Sequence, residues 1–179
     1  GSTGASANMN QAMSVAVSGN YAYVASCTSD GLAVVDISNP ASPTEVGFVS
    51  SANMDCAQAV AVSGNYAYVG SGTSDSITSI DISNPAAPVE VDSLSTANMD
   101  WPRGIAVSGN YAYVGGWASG SLAVVDISNP AALSEVGSVS TANLAAVRNI
   151  AVQGNYVYAA VQGINGLTII DVTNPAAPS

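Results

Sequence analysis

The sequence repeats itself every 45 residues, and this period constrains the fold more than any other feature. A Gly-Asn pair begins at positions 19, 64, 109 and 154, and an Asn-Pro pair begins at 39, 84, 129 and 174. No insertion or deletion interrupts the four copies. A strict period of this length predicts one small supersecondary unit that is built four times and stacked.

Within each unit the apolar side chains follow the alternating period of β-strands. In the first unit we expect strands over 14–19, 21–26, 32–37 and 45–50. Gly19-Asn20 supplies a hairpin turn between the first two strands, and Ser-Asn-Pro ends the third. Four antiparallel strands in about 45 residues are typical of one blade of a β-propeller. The predicted fold is therefore all-β, a propeller with four four-stranded antiparallel blades.

The four units divide a single propeller domain over residues 1–179. The fourth unit ends at PAAPS and has no sequence for a fourth strand, and the GSTGA segment at 1–5 is a poor strand in its place. We place the repeats at about 6–50, 51–95, 96–140 and 141–179.

The segment GNYAYV followed by LAVVDISNP resembles the LVIVD repeat of bacterial and archaeal propeller proteins, many of them secreted or on the cell surface. All four units carry the pattern, and the second departs most, with ITSI at 77–80. The resemblance implies a propeller with a surface or binding role and no defined activity. Together with the acidic, lysine-free composition, it favours an extracellular or cell-surface location.

Charge restricts the partners. The chain has 12 carboxylates, two arginines, no lysine and no histidine, for a net charge of −10. Nucleic acid and anionic membrane surfaces are poor partners, because both attract cations, and no apolar run is long enough for insertion into a membrane. Histidine is the commonest general base, so its absence argues against an enzyme. We expect no cofactor and no metal site, since neither calcium-loop nor zinc-ligand spacing occurs.

Repeated carboxylates are best explained as architecture. One aspartate ends the third strand of every unit, three residues before the asparagine of the Asn-Pro pair, where its side chain can accept backbone N–H bonds in a turn. We therefore assign a structural turn to Asp36, Asp81, Asp126 and Asp171. A glutamate opens the fourth strand of three units, Glu45, Glu90 and Glu135, where we expect it to solvate an edge strand.

Two short windows differ between the units. The first precedes the inner strand, at 10–13, 55–58, 100–103 and 145–148, and the second joins strands two and three, at 26–30, 71–75, 116–120 and 161–165. In a four-stranded meander both connections lie at the same end of the blade. We call this end the loop face, and we expect any ligand to bind there, because loops on a rigid scaffold carry function.

The loop face holds every tryptophan and every cation of the chain. Tryptophan and arginine are enriched in binding hot spots. One interpretation is a recognition patch for a protein or glycan. The other is that the arginines pair with Asp55 and Asp100, or cap loop carbonyls, while the indoles fill gaps between blades. The predicted binding residues are Trp101, Arg103, Trp117, Arg148, Asp55 and Asp100.

The two cysteines, Cys27 and Cys56, fall in successive windows of the first two units. Two alternatives are open: a disulfide between these units, or two buried free thiols that behave as small apolar residues. We favour the free thiols.

Two functions from different classes fit these features: a recognition module that uses the loop face, and a structural module that only assembles. An engineered or truncated fragment that self-assembles without a ligand is an alternative origin, given the absence of any insertion. Glycosidase-like chemistry by Asp55 and Asp100 is a further alternative.

The small strand residues bear on ring closure. Four blades in a closed ring would turn by roughly 90° from one to the next and leave wide wedges, whereas eight blades need about half that angle. Aromatic residues are 6% of the chain, and alanine, valine and serine dominate the strands, which favours shallow wedges. We therefore expect a homodimer that completes an eight-bladed ring, ahead of a compact four-bladed monomer.

Overall fold

A computed structural model describes residues 1–2, 4 and 6–179. It consists of antiparallel sheets, one for each repeat, which confirms the all-β propeller-blade prediction. Residues 3 and 5 of the N-terminal GSTGA segment lie outside the described residues. None of the described helices has the length and apolar character needed to cross a membrane.

Three blades have four strands in meander order, and the fourth has three among the described residues. Blade 1 comprises β1 (Ala12–Ser18), β2 (Tyr21–Ser26), β3 (Gly31–Asp36) and β4 (Thr44–Ser50). Blade 2 comprises β5 (Ala57–Ser63), β6 (Tyr66–Ser71), β7 (Ser76–Asp81) and β8 (Val89–Ser95). Blade 3 comprises β9 (Pro102–Ser108), β10 (Tyr111–Gly116), β11 (Ser121–Asp126) and β12 (Ser134–Ser140). Blade 4 comprises β13 (Val147–Gln153), β14 (Tyr156–Val161) and β15 (Gly166–Asp171).

Local chemistry explains where the strands end. The hairpin between β1 and β2 turns at Gly19, whose φ of 57° is a left-handed conformation that glycine adopts without steric cost. Gly64, Gly109 and Gly154 repeat this turn in the other blades. The third strand ends where its aspartate accepts a bond from the backbone N–H two residues later, as Asp36 does from Ser38 at 2.8 Å.

A short 3-10 turn precedes each inner strand, and the strand pattern alone did not predict it. These turns lie at Ala7–Met9, Ala52–Met54, Ala97–Met99 and Ala142–Leu144. Ser51 caps the second turn, because its Oγ accepts the backbone N–H of Asn53 at 3.2 Å. The last apolar residue of each later turn, such as Met54 or Leu144, is buried. The turns therefore anchor the loop face to the core.

The core lies between blades and not within them. Each of three apolar clusters combines side chains of two successive blades: 1 with 2, 2 with 3, and 3 with 4. We call the surface of a blade that packs on the preceding blade its leading face, and the opposite surface its trailing face. The inner strands pack in the succession β1, β5, β9, β13, and β13 does not pack along β1 as neighbouring inner strands do. The four blades therefore form an arc.

Candidate functional site

The variable windows meet at one end of every blade, which is the loop face. In each blade the second residue of the second window donates its backbone N–H to a carbonyl of the first window. The pairs are Cys27 to Gln11, Gly72 to Cys56, Trp117 to Trp101, and Gln162 to Ala146, at 2.9 to 3.0 Å. The acceptor residues share a left-handed conformation, with φ between 53° and 61°. One repeated backbone geometry thus presents five residue types at eight positions.

The first junction between blades is covalent. A disulfide joins Cys27 of blade 1 to Cys56 of blade 2. Our preference for two free thiols was therefore wrong. The physical reason is positional: successive blades bring the second residue of one second window, Cys27, against the left-handed residue of the next first window, Cys56. The sequence pattern placed the two cysteines in successive windows, but it did not decide whether they are bonded.

The second junction fills the same position with an aromatic ring on a glycine. The indole of Trp101 lies against Gly72, where a Cβ would come within 2.8 Å of the ring. At the third junction the equivalent positions hold Trp117 and Ala146. The indoles therefore take the place that the disulfide has at the first junction. The tryptophan comes from the later blade at the second junction and from the earlier blade at the third.

The two arginines of the chain converge on Trp117. The guanidinium carbon of Arg103 lies 5.0 Å from the centroid of this ring, and that of Arg148 lies 6.0 Å from it. Arg103 is also 6.0 Å from the centroid of Trp101. Arg148 Nε donates to Gln162 Oε1 at 2.7 Å. We call Trp101, Arg103, Trp117 and Arg148 the arginine–tryptophan cluster.

This cluster has no anionic partner among the described residues. Within the described part of the chain, no carboxylate forms an ion pair with Arg103 or Arg148. Arg103 Nε and the Nε1 atoms of Trp101 and Trp117 are buried without a hydrogen-bond acceptor. Burial, followed by the charge of Arg148, lowers the pKa of Arg103. Two like charges that share one aromatic ring repel each other, and nothing in the described structure neutralises them.

The predicted carboxylates occupy the loop face in two different ways. Asp55 and Asp100 accept bonds through their backbone carbonyls, and their carboxylates make no hydrogen bond to the described residues. Asp30 and Asp75, by contrast, reach the next blade. Asp30 Oδ1 accepts the N–H of Cys56 at 3.0 Å, and Asp75 Oδ1 accepts that of Trp101 at 2.8 Å.

The alternative in which Arg103 and Arg148 pair with Asp55 and Asp100 is therefore not what the structure shows. The part that concerns Trp101 does hold, since its indole fills the gap between blades 2 and 3. Sequence reasoning missed Gln162 as the partner of Arg148, and it missed the role of Asp30 and Asp75 between blades. The sequence signal for these two was their shared position just before the third strand, where the structure gives both a φ of 49°.

The repeated carboxylates lie elsewhere. Asp36, Asp81, Asp126 and Asp171 each accept a backbone N–H at 2.8 Å at the opposite end of the blades. The glutamates do more than solvate an edge, because each bonds an asparagine of the 3-10 turn in its own unit. Glu45 accepts from Asn8 Nδ2 at 2.6 Å, Glu90 from Asn53 at 2.7 Å, and Glu135 from Asn98 at 2.6 Å.

Comparison with known proteins gives a family and a fold. The model of the LVIVD repeat matches residues 10–51, 56–96, 102–141 and 146–179. No curated protein matches the sequence. Hydrazine synthase of Kuenenia stuttgartiensis is similar in structure at 20% identity and a TM-score of 0.79, over 98% of this chain and 50% of that chain.

Two further structures have the same fold. The computationally designed Ika4 protein matches with 14% identity and a TM-score of 0.74, over 96% of both chains. The periplasmic gluconolactonase of Pseudomonas aeruginosa matches with 16% identity and a TM-score of 0.73, over 89% of this chain and 53% of that chain. The chain spans about half the length of hydrazine synthase and of the gluconolactonase.

Proposed function

The chain belongs to the LVIVD repeat family, and from that premise we propose that it is a non-catalytic propeller module whose loop face binds an oxyanion. The ligand group is a carboxylate or a sulfate, and the arginine–tryptophan cluster holds it. The observation that carries the proposal is the pair of arginines on one indole without a carboxylate partner. We further propose an extracellular or cell-surface location for this role.

Electrostatics favours an anion at this place. The chain carries a net charge of −10, so a cation elsewhere would find many partners, yet neither arginine forms an ion pair with a described carboxylate. An oxyanion between the guanidinium groups removes their repulsion and accepts charge-assisted hydrogen bonds. Arg148 is exposed and Arg103 is half-buried, so a ligand can approach from solvent.

The indoles have a supporting role. One side of Trp101 is covered by Gly72, and Trp117 carries the two guanidinium groups. Because of these contacts, neither indole offers the open ring face on which a sugar would stack. The arginines therefore recognise the negative charge of the ligand, and cation–π contact with the indoles keeps the arginines in place.

We propose that the module does not catalyse a reaction. Of the described residues, no group of three or more His, Cys, Asp or Glu side chains is close enough to hold a metal ion. The chain also lacks histidine. The gluconolactonase and hydrazine synthase share the fold at 16% and 20% identity, and their activities belong to those proteins.

Tryptophan fluorescence tests the proposal directly, because the two tryptophans of the chain both lie in the cluster. We expect sodium sulfate and oligogalacturonate to change the emission at concentrations where sodium chloride of equal ionic strength does not. Arg148→Gln should weaken binding about tenfold, the effect of removing one charge-assisted contact. Arg148→Lys, which keeps the charge, should lose less.

Equal responses to sulfate and chloride, or unchanged binding in Arg148→Gln, would overturn the proposal. A poly-glutamate peptide compared with oligogalacturonate at equal carboxylate concentration identifies whether an acidic protein or an acidic glycan is the better source of the anion. Folding of each variant is checked by circular dichroism.

A further inference from the structure

Two terminal blade faces expose the large apolar side chains of the molecule. Of the described residues, all the exposed large hydrophobics except Val89 and Val91 lie in blades 1 and 4. Val15 and Val17 on the leading face of blade 1 are 61% and 62% exposed, and Leu167 and Ile169 on the trailing face of blade 4 are 62% and 56% exposed. An apolar surface of this kind on a soluble protein marks an interface.

The same repeat positions are buried wherever another blade follows or precedes. Val60, Ile105 and Ile150, which correspond to Val15, are 6 to 8% exposed. Leu32, Ile77 and Leu122, which correspond to Leu167, are fully buried. The leading face of blade 1 and the trailing face of blade 4 are thus the two halves of a blade junction of which the chain contains three complete examples.

We propose that a second copy of this chain covers both faces, so that blade 4 of each copy packs on blade 1 of the other. The product is a two-fold symmetric ring of eight blades. In this closed dimer every blade face packs on another blade, whereas a single four-bladed arc leaves two faces exposed. This pairing does not depend on the oxyanion ligand.

Side-chain sizes at the junctions match the proposed pairing. Where the trailing face has a glycine, the next blade supplies isoleucine: Ile105 lies over Gly70, and Ile150 lies beside Gly115. Where it has an alanine, Ala25, the same cluster contains the smaller Val60. The open trailing face of blade 4 has Ala160, and the open leading face of blade 1 has Val15. The new junction would therefore repeat the alanine–valine pair of the first.

A groove on blade 4 lies where that valine would pack. Ile150, Tyr158, Ala160 and Leu167 line it, together with Asn149 and Ala151. Its position on blade 4 corresponds to the surface of blade 3 around Gly115 that receives Val147 and Ile150. Since the inner strands follow one another at a constant repeat, Val15 of a second copy would enter the groove as Ile150 enters the preceding one.

The donor and the acceptor of the hydrogen bond that links successive blades at the loop face are also present on the two terminal blades. Asp30 and Asp75 accept the backbone N–H of the left-handed residue in the next blade. Asn165 holds the equivalent position with a φ of 52°, and Gln11 is the left-handed residue of blade 1 with a φ of 53°. Asn165 Oδ1 would accept the N–H of Gln11 from the second copy. Gln162 and Gln11 would then face each other as Cys27 and Cys56 do.

Cross-linking tests this geometry. In the double variant Gln11→Cys with Gln162→Cys, mild oxidation should join two chains through disulfides, seen as a doubled mass on a non-reducing gel. The matched control is Gln11→Cys with Gln153→Cys, because Gln153 is an exposed residue at the other end of blade 4. Equal cross-linking in both variants would overturn the proposed junction.

Light scattering tests the assembly itself. We expect about twice the chain mass of 17.7 kDa at micromolar concentration. Val15→Asp should give monomers, with a dissociation constant of the dimer at least 100-fold higher than in the wild type. Val89→Asp is the control and should leave the dimer intact, because Val89 is similarly exposed, at 58%, but lies on the fourth strand of blade 2, away from both terminal faces. Both side chains are exposed in the single chain, so neither change disturbs folding. Three results would contradict the eight-bladed ring: a wild-type mass of one chain, a mass that rises with concentration beyond two chains, or identical behaviour of the two variants.

Discussion

The two ends of the blades differ in how uniform their contacts are. At the end opposite the loop face, which we call the turn end, Asp36, Asp81, Asp126 and Asp171 make one identical bond to the backbone. At the loop face, the equivalent junction positions hold a disulfide, an indole on Gly72, and Trp117 with Ala146. The turn lies within one unit, and the junction lies between two.

This difference has a physical cause. A turn needs only a local acceptor, so any unit that keeps its aspartate keeps its turn. A junction must match two side chains from different units in size and polarity, and several pairs satisfy this requirement. The loop face can therefore vary without loss of the fold, and substitutions there should have unequal effects, while substitutions at the turn end should have equal ones.

The largest effect is expected at the covalent junction. Cys27→Ser with Cys56→Ser should lower the free energy of unfolding by about 3 kcal/mol, because the cross-link closes a loop with a sequence separation of 29 residues. Urea unfolding at one fixed protein concentration measures the loss. Cys27→Gly with Cys56→Trp, which copies the second junction, should recover part of it. Equal stability of the oxidised wild type and the double serine variant would contradict this prediction.

The indole junction should come next. Trp101→Ala is expected to cost about 2 kcal/mol, below the usual range for a fully buried tryptophan because this one is half-buried. The sharper measurement is the sign of Gly72→Ala. In the wild type the new Cβ meets the Trp101 ring at 2.8 Å and should destabilise, whereas in Trp101→Ala it fills vacated space and should not. An additive result in the double-mutant cycle would show that the two residues do not act as a pair.

The tether between blades 2 and 3 should contribute less. Asp75→Gly removes the acceptor of the Trp101 N–H and keeps the left-handed backbone without strain, so we expect a loss of about 1 kcal/mol. This change converts the second junction to the chemistry of the third, where Gly120 stands in the same position. Asp75→Asn retains an acceptor and serves as the control. A loss as large in Asp75→Asn as in Asp75→Gly would show that the hydrogen bond is not the cause.

Sequence reasoning succeeded for features that lie inside one unit. The alternating period and the Gly-Asn and Ser-Asn-Pro turns predict the strands of blade 1 to within two residues, as β1 at Ala12–Ser18 shows against the predicted 14–19. Features between units were predicted only in part, because the sequence placed Cys27 and Cys56 in successive windows but did not decide between a disulfide and free thiols. The contact of Cys27 with Cys56 and the convergence of Arg103 and Arg148 on Trp117 depend on how one blade rotates against the next, and no local pattern encodes that angle.

The smallest effect, and the one that should be the same four times, belongs to the turn end. Side-chain and backbone hydrogen bonds with Ser128 lower the pKa of Asp126 below its ordinary value of 3.8. The lowered pKa means that folding favours the ionised form, so the stabilisation is present above the unfolded-state pKa and is lost as the pH falls through the folded-state pKa, below about pH 4.

Asp126→Asn keeps an oxygen acceptor for the turn and removes the titration. We therefore expect almost unchanged stability at pH 7 and a shallower loss between pH 4 and pH 2, measured by thermal unfolding along a pH series. Asp36→Asn, Asp81→Asn and Asp171→Asn should behave alike, because each aspartate accepts its backbone bond at the same 2.8 Å. If one of the four differs from the rest, the turn end is not uniform in energy, and the contrast with the loop face is one of side-chain identity alone.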